Sequence, residues 1–186
     1  LPFLEDLSKA GYETHEIDTV MCTHLHVDHV GWNTMLVDGK WIPTFPNARY
    51  LMGRTEYEYW DKAEADKPES DKAPDELNQG VMGDSVRPVF DAGLVDLVEM
   101  NHSVCDEVFL EPTTGHTPGH VSIHIQSEGA EALITGDCIH HPCQIEHLDW
   151  ASSADFDQTA STATRVELME KYVDSDILII GTHFAT

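Results

Sequence analysis

Four potential metal ligands lie close together near the start of the chain. Residues 23–31 read T-H-L-H-V-D-H-V-G, and this segment contains His24, His26, Asp28 and His29. Imidazole nitrogens and carboxylate oxygens are the ligands that Zn²⁺ and similar divalent ions prefer in proteins. Because a loop can turn such closely spaced side chains towards one point, the segment predicts a metal centre.

Three more residues of the same chemical types follow later in the chain. His116 lies in T-T-G-H-T-P-G-H, where glycine and proline predict a loop. Asp137 comes just after the apolar residues 132–134, and His183 comes just after the apolar residues 177–180. Side chains at strand ends are held by a rigid scaffold and still face substrate. The whole set is too large for one ion, so we expect two metal ions.

The elements that must position these residues alternate between helical and strand patterns, which predicts an α/β fold. We expect helices over residues 3–10, 56–65 and 157–173 and strands over residues 17–23, 49–52, 107–111, 120–127, 131–135 and 176–181. The last strand should be buried, and residues 66–83 should form a polar surface excursion. The last helix should present an apolar stripe made of Ala160, Ala163, Val166, Met169 and Val173.

The charge balance argues against several classes of partner. The chain carries 34 acidic and 10 basic residues, a formal net charge of −24. A surface this negative repels phosphate backbones and anionic lipids. We therefore expect a small-molecule substrate, no nucleic acid and no membrane partner, and the residues leave open whether the chain forms a homodimer.

Cysteine usage and hydropathy bear on the compartment. The chain has four cysteines: Cys22, Cys105, Cys138 and Cys143. They form no C-x-x-C pair and are too few for a disulfide scaffold, so free thiols are expected. Free thiols favour the cytoplasm, although the sequence alone leaves the compartment unknown. No apolar run approaches the roughly 20 residues that a membrane-spanning helix needs.

Three motifs carry a resemblance to a known family. The segments T-H-L-H-V-D-H-V-G-W, G-H-T-P-G-H and T-G-D-C-I-H-H-P resemble the metallo-β-lactamase-fold metallohydrolases. They are most similar to the branch that contains homoserine-lactone lactonases and methyl-parathion-hydrolase-like enzymes. The resemblance runs from about residue 17 to residue 183 and implies an αββα sandwich.

The resemblance also implies a ligand set and a cofactor. One ion would be bound by His24, His26 and His116, the other by Asp28, His29 and His183, and Asp137 would bridge both. The ions would be zinc, although iron, manganese or cobalt would accept the same ligands. His120, inside the second motif, is expected to support the site by a hydrogen bond rather than to bind metal.

The implied activity is hydrolysis by a hydroxide that bridges two metal ions. The substrate would be a lactone, a carboxylic ester or a phosphotriester. Asp28 is expected to orient the hydroxide as well as to bind metal. In the lactonases a tyrosine stands three residues after the bridging aspartate, and this chain has His140 there. We expect a catalytic role for His140, and because its reach and pKa differ from a phenol's, lactone preference does not follow from the resemblance.

Other reactions of the same superfamily are alternatives. A thioesterase of the glyoxalase II type has similar metal motifs, followed by a helical substrate domain. A nuclease is disfavoured by the charge, and an iron-dependent oxygenase fits poorly, since diiron flavoproteins usually carry a glutamate where His26 stands. Four large side chains either shape a substrate pocket or pack in the core: Trp32, Met35, Trp41 and Trp150.

The length bears on domain organisation. We expect residues 1–186 to form a single metallo-β-lactamase-like domain. Members of the superfamily usually have further strands before the first histidine motif and further structure after the last histidine. Only 23 residues precede His24. We therefore predict that the domain is incomplete at its N- and C-terminal edges, as a fragment of a longer family domain would be.

Overall fold

A computed structural model describes residues 2–66 and 80–185 of the chain. These residues divide into two units, one made of residues 2–52, 60–66 and 80–97 and the other of residues 53–59 and 98–185. Helices and strands occur in both units, so the predicted α/β class is confirmed. The single-domain organisation stays a prediction.

The first unit contains a three-stranded sheet in the order β1-β4-β5. Its strands are β1 (Thr19–Met21), β4 (Arg49–Gly53) and β5 (Val95–Val98), and β1 runs parallel to β4. Tyr50 and Met52 of β4 are fully buried. The Tyr50 hydroxyl donates to the Asn33 carbonyl at 3.0 Å and accepts from the Phe45 amide at 3.0 Å, which satisfies the polar end of this buried ring.

A β-hairpin that the sequence patterns did not predict also lies in the first unit. Strands β2 (Thr34–Val37) and β3 (Lys40–Pro43) pair antiparallel through Asp38 and Gly39, whose φ angles are 50° and 76°. Two positive φ angles define the tight turn that an Asp-Gly pair favours. The other helical segments here are α1 (Phe3–Lys9), α2 (Val27–Val30), α4 (Arg87–Asp91), two 3₁₀ turns (Thr14–Glu16 and Gly31–Asn33) and a π-helix (Met82–Val86). Helix α3 (Arg54–Ala65) contributes residues to both units.

The second unit contains a four-stranded sheet in the order β6-β7-β8-β9. Strands β6 (Val108–Pro112), β7 (Val121–Ser127) and β8 (Ala130–Ile134) form an antiparallel meander, and β9 (Leu178–Ile180) runs parallel to β8. The helices are α5 (Cys143–Glu146) and α6 (Gln158–Tyr172), with a 3₁₀ turn at Gly136–Cys138. Asp157 caps α6 by accepting hydrogen bonds from two backbone amides of its first turn.

One prediction about burial in the second unit was wrong. Strand β9 is not buried: Leu178 is 61% exposed and Ile180 is 39% exposed, because β9 lies at the edge of its sheet. The predicted apolar stripe of α6 is partly buried: Ala160, Val166 and Met169 are half-buried, and Met169 packs against the core of the second unit, whereas Ala163 is exposed and Val173 is 67% exposed. The side chains that α6 buries are Ser161, Arg165 and Leu168. The buried Arg165 donates hydrogen bonds to several backbone carbonyls of loops, and a pattern of apolar residues cannot reveal this role.

The polar excursion predicted for residues 66–83 falls mostly on residues 67–79, outside the described residues. The prediction was wrong at its C-terminal end, where Val81 and Met82 are each 5% exposed. Met82 begins the π-helix, which ends at the fully buried Val86. These apolar side chains therefore belong to the core of the first unit.

The cysteines are all free, as predicted. Cys138 lies in the apolar core of the second unit beside Leu133, Ile139 and Leu168. Burial raises the pKa of the Cys138 thiol to about 12, so it is protonated at neutral pH. Among the described residues, no helix is long and apolar enough to cross a bilayer.

A half-buried carboxylate joins β6 to the end of α6. Glu111 accepts hydrogen bonds from the Tyr172 hydroxyl at 2.6 Å and from the Lys171 ammonium at 2.5 Å. Burial alone would raise the pKa of Glu111, but these hydrogen bonds outweigh it and hold the pKa below its usual value of 4.5. The stabilisation is therefore present above about pH 4.5 and is lost as the pH falls through the lower pKa of the folded state.

Replacing Glu111 with glutamine should lower the free energy of unfolding at pH 7 by about 1–2 kcal/mol, since a charged acceptor of two hydrogen bonds is lost. Urea denaturation at pH 7 and at several values below pH 4.5 should show the difference from the wild type shrinking as Glu111 is protonated. Glu107→Gln removes the same charge from an exposed position and is the control. A Glu111→Gln difference that does not change with pH would contradict this interpretation.

Candidate metal centre

The first histidine motif follows strand β1 in the first unit. The Cys22 amide extends the parallel pairing by donating to the Leu51 carbonyl, and the chain then turns at His26 into the short helix α2. His24 is 1% exposed, and its Nδ1 lies 3.1 Å from the Thr23 hydroxyl. This contact helps to fix the orientation of the His24 ring.

Three imidazoles of this motif come together. His24 Nε2 lies 3.1 Å from His26 Nδ1, and the rings of His24 and His29 have centroids 4.0 Å apart. Asp28 precedes His29 on α2, and its carboxylate lies 3.6 Å from His29 Nε2. The Asp28 side chain is 53% exposed, so it remains open to solvent beside the buried imidazoles. The structure therefore brings the predicted ligands of the first unit into one cluster.

Asp137 is the centre of a second cluster, which lies in the second unit. Its carboxylate is 5% exposed, and Oδ2 lies 3.4 Å from His116 Nε2, 3.3 Å from His140 Nε2 and 3.3 Å from His183 Nε2. The other oxygen, Oδ1, accepts a hydrogen bond from the Thr182 hydroxyl at 3.0 Å. Three imidazoles thus face one oxygen of a single buried carboxylate.

Sheet topology explains why Asp137 and His183 meet. Strands β8 and β9 are parallel, and their register pairs Ile134 with Ile180. The chain continues by three residues from Ile134 to Asp137 and by three from Ile180 to His183. Parallel strands end at the same edge of a sheet, so equal extensions bring the two side chains together.

His116 is oriented by a buried carboxylate that the sequence patterns did not single out. His116 Nδ1 lies 3.0 Å from Asp155 Oδ1, and both side chains are 1% exposed or less. Burial alone would raise the pKa of Asp155, but hydrogen bonds from His116, the Ser152 backbone and Ser161 outweigh it and lower the pKa. An ionised Asp155 accepts a hydrogen bond from Nδ1–H of His116, so that Nε2 is the unprotonated nitrogen, the one that can bind a metal.

The loop that carries His116 is packed through its two glycines. A Cβ at Gly119 would lie 2.3 Å from the Glu56 backbone nitrogen, and a Cβ at Gly115, where φ is +124°, would lie 2.2 Å from the Ser161 nitrogen. The buried Glu56 carboxylate accepts from the Thr117 hydroxyl at 2.7 Å and from the Gly119 amide at 3.0 Å. Backbone packing and hydrogen bonds therefore fix the position of His116.

His120 supports the Asp137 cluster. Its Nδ1 donates to the Thr113 carbonyl at 2.9 Å, and its Nε2 accepts from the Asp137 backbone amide at 3.0 Å. The tautomer follows from these partners, since Nδ1 must carry the proton. Both ring nitrogens are thus used within the protein, in agreement with the predicted supporting role.

These clusters and the fold correspond to a known family. The sequence profile of the metallo-beta-lactamase superfamily matches residues 2–181. The chain belongs to this superfamily. Its metal-binding motifs therefore occur in the fold that the resemblance implied.

Relatives within the metallo-β-lactamase superfamily include lactonases. The chain is 27% identical to an N-acyl homoserine lactonase of Bacillus thuringiensis over 128 residues, which cover 69% of this chain and 40% of that protein. AiiA, the N-acyl homoserine lactonase of the subspecies kurstaki, matches equally well. The chain thus spans less than half the length of the curated relatives it matches.

Solved structures show the same fold. AidC, described as a dizinc quorum-quenching lactonase in complex with a product, has a TM-score of 0.78 and 25% identity, with 98% of this chain and 63% of that chain covered. The hydrolase AbOPH of the β-lactamase superfamily has a TM-score of 0.81 and 24% identity, with 99% and 62% covered. The predicted metallo-β-lactamase fold is therefore confirmed.

The donor set around Asp137 fits a zinc-like ion. Two atoms that bind one tetrahedral Zn²⁺ at 2.0–2.1 Å are separated by about 3.3–3.4 Å. The three imidazole nitrogens lie at 3.3–3.4 Å from Asp137 Oδ2. The spacing is thus that of atoms that share a metal, and the donors are of the types that zinc prefers.

The aromatic side chain that the structure places beside a predicted ligand is not one of those singled out from the sequence. Trp60 of α3 lies edge-on to His26 with ring centroids 5.5 Å apart, and the sequence patterns did not single it out. Trp32 is 38% exposed, Trp41 is 39% exposed, and Trp150 is 53% exposed and stacks on His147 with centroids 4.2 Å apart. These three tryptophans are therefore not buried core residues.

Proposed function

We propose that this chain is part of a dinuclear zinc hydrolase that opens an acyl-homoserine lactone or a closely related ester. The observation that carries the proposal is the cluster of three imidazole nitrogens around the buried Asp137 carboxylate. The lactonases among the relatives favour a cyclic ester as the substrate. The strongly negative surface is consistent with a small substrate rather than a nucleic acid.

The proposed ligand set follows the family resemblance. His24, His26 and His116 would hold one ion, Asp28, His29 and His183 the other, and Asp137 would bridge the two. Zinc is the proposed metal because imidazole and carboxylate donors suit it and because AidC is described as dizinc. When bound, such ions lower the pKa of a water molecule and polarise the carbonyl oxygen of an ester.

The chain's own residues have distinct proposed tasks. In hydrolysis the oxygen of one water bonds to the lactone carbonyl carbon, the ring C–O bond breaks, and a proton of that water ends on the released hydroxyl. Asp28 would orient the water, and its 53% exposed side chain leaves its carboxylate accessible to one. Asp155 would keep His116 in the tautomer that binds metal. His140 would act at the reacting centre, where the lactonases have a tyrosine.

An exposed phenylalanine beside His116 supports a substrate with an apolar substituent. Phe156 is 62% exposed, and its backbone amide donates to the His116 carbonyl at 3.0 Å. The Tyr59 ring lies edge-on to Phe156 with centroids 5.3 Å apart. An exposed phenylalanine next to a metal ligand offers an apolar surface on which an acyl chain could lie.

The test is a parallel assay on an acyl-homoserine lactone, an aryl ester, a phosphotriester and a glutathione thioester. We expect the highest kcat/KM on the lactone, loss of activity after chelation and recovery on adding zinc, with close to two zinc ions per chain by elemental analysis. Activity confined to the thioester would assign the chain to the glyoxalase II type instead. A folded protein that binds no zinc would contradict the dinuclear proposal.

A further inference from the structure

His140 makes the same contact with Asp137 as His116 and His183 do. All three Nε2 atoms lie 3.3–3.4 Å from Asp137 Oδ2. Two hydrogen bonds in this cluster are shorter, at 3.0 Å from Thr182 to Asp137 and 3.0 Å between His116 and Asp155. The His140 ring is also nearly parallel to that of His183, with an angle of 12° and centroids 5.7 Å apart. His140 is therefore placed with respect to Asp137 as the two histidines of the proposed ligand set are.

We propose that His140 is an additional metal ligand, binding through Nε2 to an ion held at Asp137. This assignment rests on the proposed function, since it requires a metal ion at that carboxylate. It goes beyond the family's ligand set, which has no metal-binding residue at this position. A separation of about 3.3–3.4 Å is what two ligands of one tetrahedral zinc ion show, and it fits His140 as well as it fits the two expected histidines.

The backbone on both sides of His140 is fixed by two polar side chains. The Gln144 amide oxygen accepts from the His140 backbone amide at 2.7 Å, and its nitrogen donates to the Trp150 carbonyl at 2.7 Å. The Arg165 guanidinium donates to the Cys138 carbonyl at 3.0 Å. These contacts hold the loop after Asp137, so that the His140 ring reaches the carboxylate without rearrangement. Gln144 is accordingly a positioning residue.

His140 is a weaker ligand than His116. His116 Nδ1 donates to Asp155, a partner that strengthens a metal-bound imidazole. His140 Nδ1 is buried, and none of the described residues offers it a hydrogen bond. Loss of His140 should therefore weaken the binding of one ion without abolishing it, and about a tenfold rise in its Kd is expected.

The first experiment compares zinc affinity, measured by competition with a chromogenic chelator, in the wild type, His140→Gln and His141→Gln. His141 is the neighbouring exposed histidine and is the matched control. We expect His140→Gln to raise one zinc Kd about tenfold and His141→Gln to leave both values within twofold. Equal affinities in all three proteins would overturn the assignment. Circular dichroism of the zinc-free proteins separates a loss of affinity from a loss of fold.

The second experiment counts the ligands directly in the wild-type chain. Protein labelled with ¹⁵N-histidine and loaded with ¹¹³Cd should show one more cadmium-coupled imidazole than the proposed set of His24, His26, His29, His116 and His183. The additional signal should disappear in His140→Gln and persist in His141→Gln. Coupling to those five imidazoles alone would overturn the role of His140 and keep the proposed function, whereas coupling to none would overturn both.

Discussion

Replacing Asp137 with asparagine should remove zinc-dependent hydrolysis while leaving the fold intact. The Nε2 atoms of His116, His140 and His183 all lie within 3.4 Å of Asp137 Oδ2. An amide carries no negative charge, so it cannot offset the charge of a bridged pair of cations. Removing a partner outside the ligand set typically costs 10–100-fold, so loss of the bridging ligand should lower kcat/KM by more than about 100-fold.

The fold should survive because the other contacts of Asp137 remain. An asparagine side chain keeps an oxygen that can accept from the Thr182 hydroxyl, and the backbone amide still donates to His120. The unfolding of the zinc-free variant should therefore match that of the zinc-free wild type, and elemental analysis should show zinc missing. Asp149→Asn, at an exposed carboxylate of the same unit, is the control. Activity within tenfold of the wild type would rule out Asp137 as the bridging ligand.

The sequence predicted where Asp137 and His183 lie in the fold because strand ends carry a local signal. An apolar run followed by a polar residue marks the end of a strand, and this pattern located both Asp137 and His183. It could not show that β8 and β9 are parallel neighbours in a register that extends to both side chains. The same pattern predicted a buried strand at residues 176–181, whereas β9 lies at a sheet edge. Hydrophobicity alone does not reveal how many neighbours a strand has.

The residues that hold the ligands in place were not predictable in this way. Asp155 contacts His116 across 39 positions, and Glu56 contacts Thr117 across 61 positions. Each is an acidic residue in a strongly acidic chain, so neither its type nor its neighbours set it apart. Their functions depend on burial beside a specific partner, which only the folded structure shows. For the same reason Gln144 gave no signal as the residue that positions His140.

Arg165 is the clearest example of a residue whose role depends on burial beside its partners. Its replacement with methionine should cause a large fall in the free energy of unfolding. Its side chain is fully buried and donates to the carbonyls of Cys138, Leu148 and Trp150 at 2.8–3.1 Å. Methionine is similarly long but donates no hydrogen bond, so the Cys138 and Leu148 carbonyls would lose this donor, while the Trp150 carbonyl would keep the hydrogen bond from Gln144.

The change would also remove the buried cation that lies 3.8 Å from the Asp155 carboxylate. Removing one partner of a buried ion pair costs about 3–5 kcal/mol, and we expect a fall of that size in the free energy of unfolding measured with urea. Lys171→Met removes a half-exposed cation from the same helix and should cost no more than about 1 kcal/mol. If the two variants lose equal stability, Arg165 does not anchor the loop that carries His140. The expected difference would show that the buried cation of Arg165 contributes more to stability than the half-exposed cation of Lys171, because Arg165 ties α6 to the loop that carries His140.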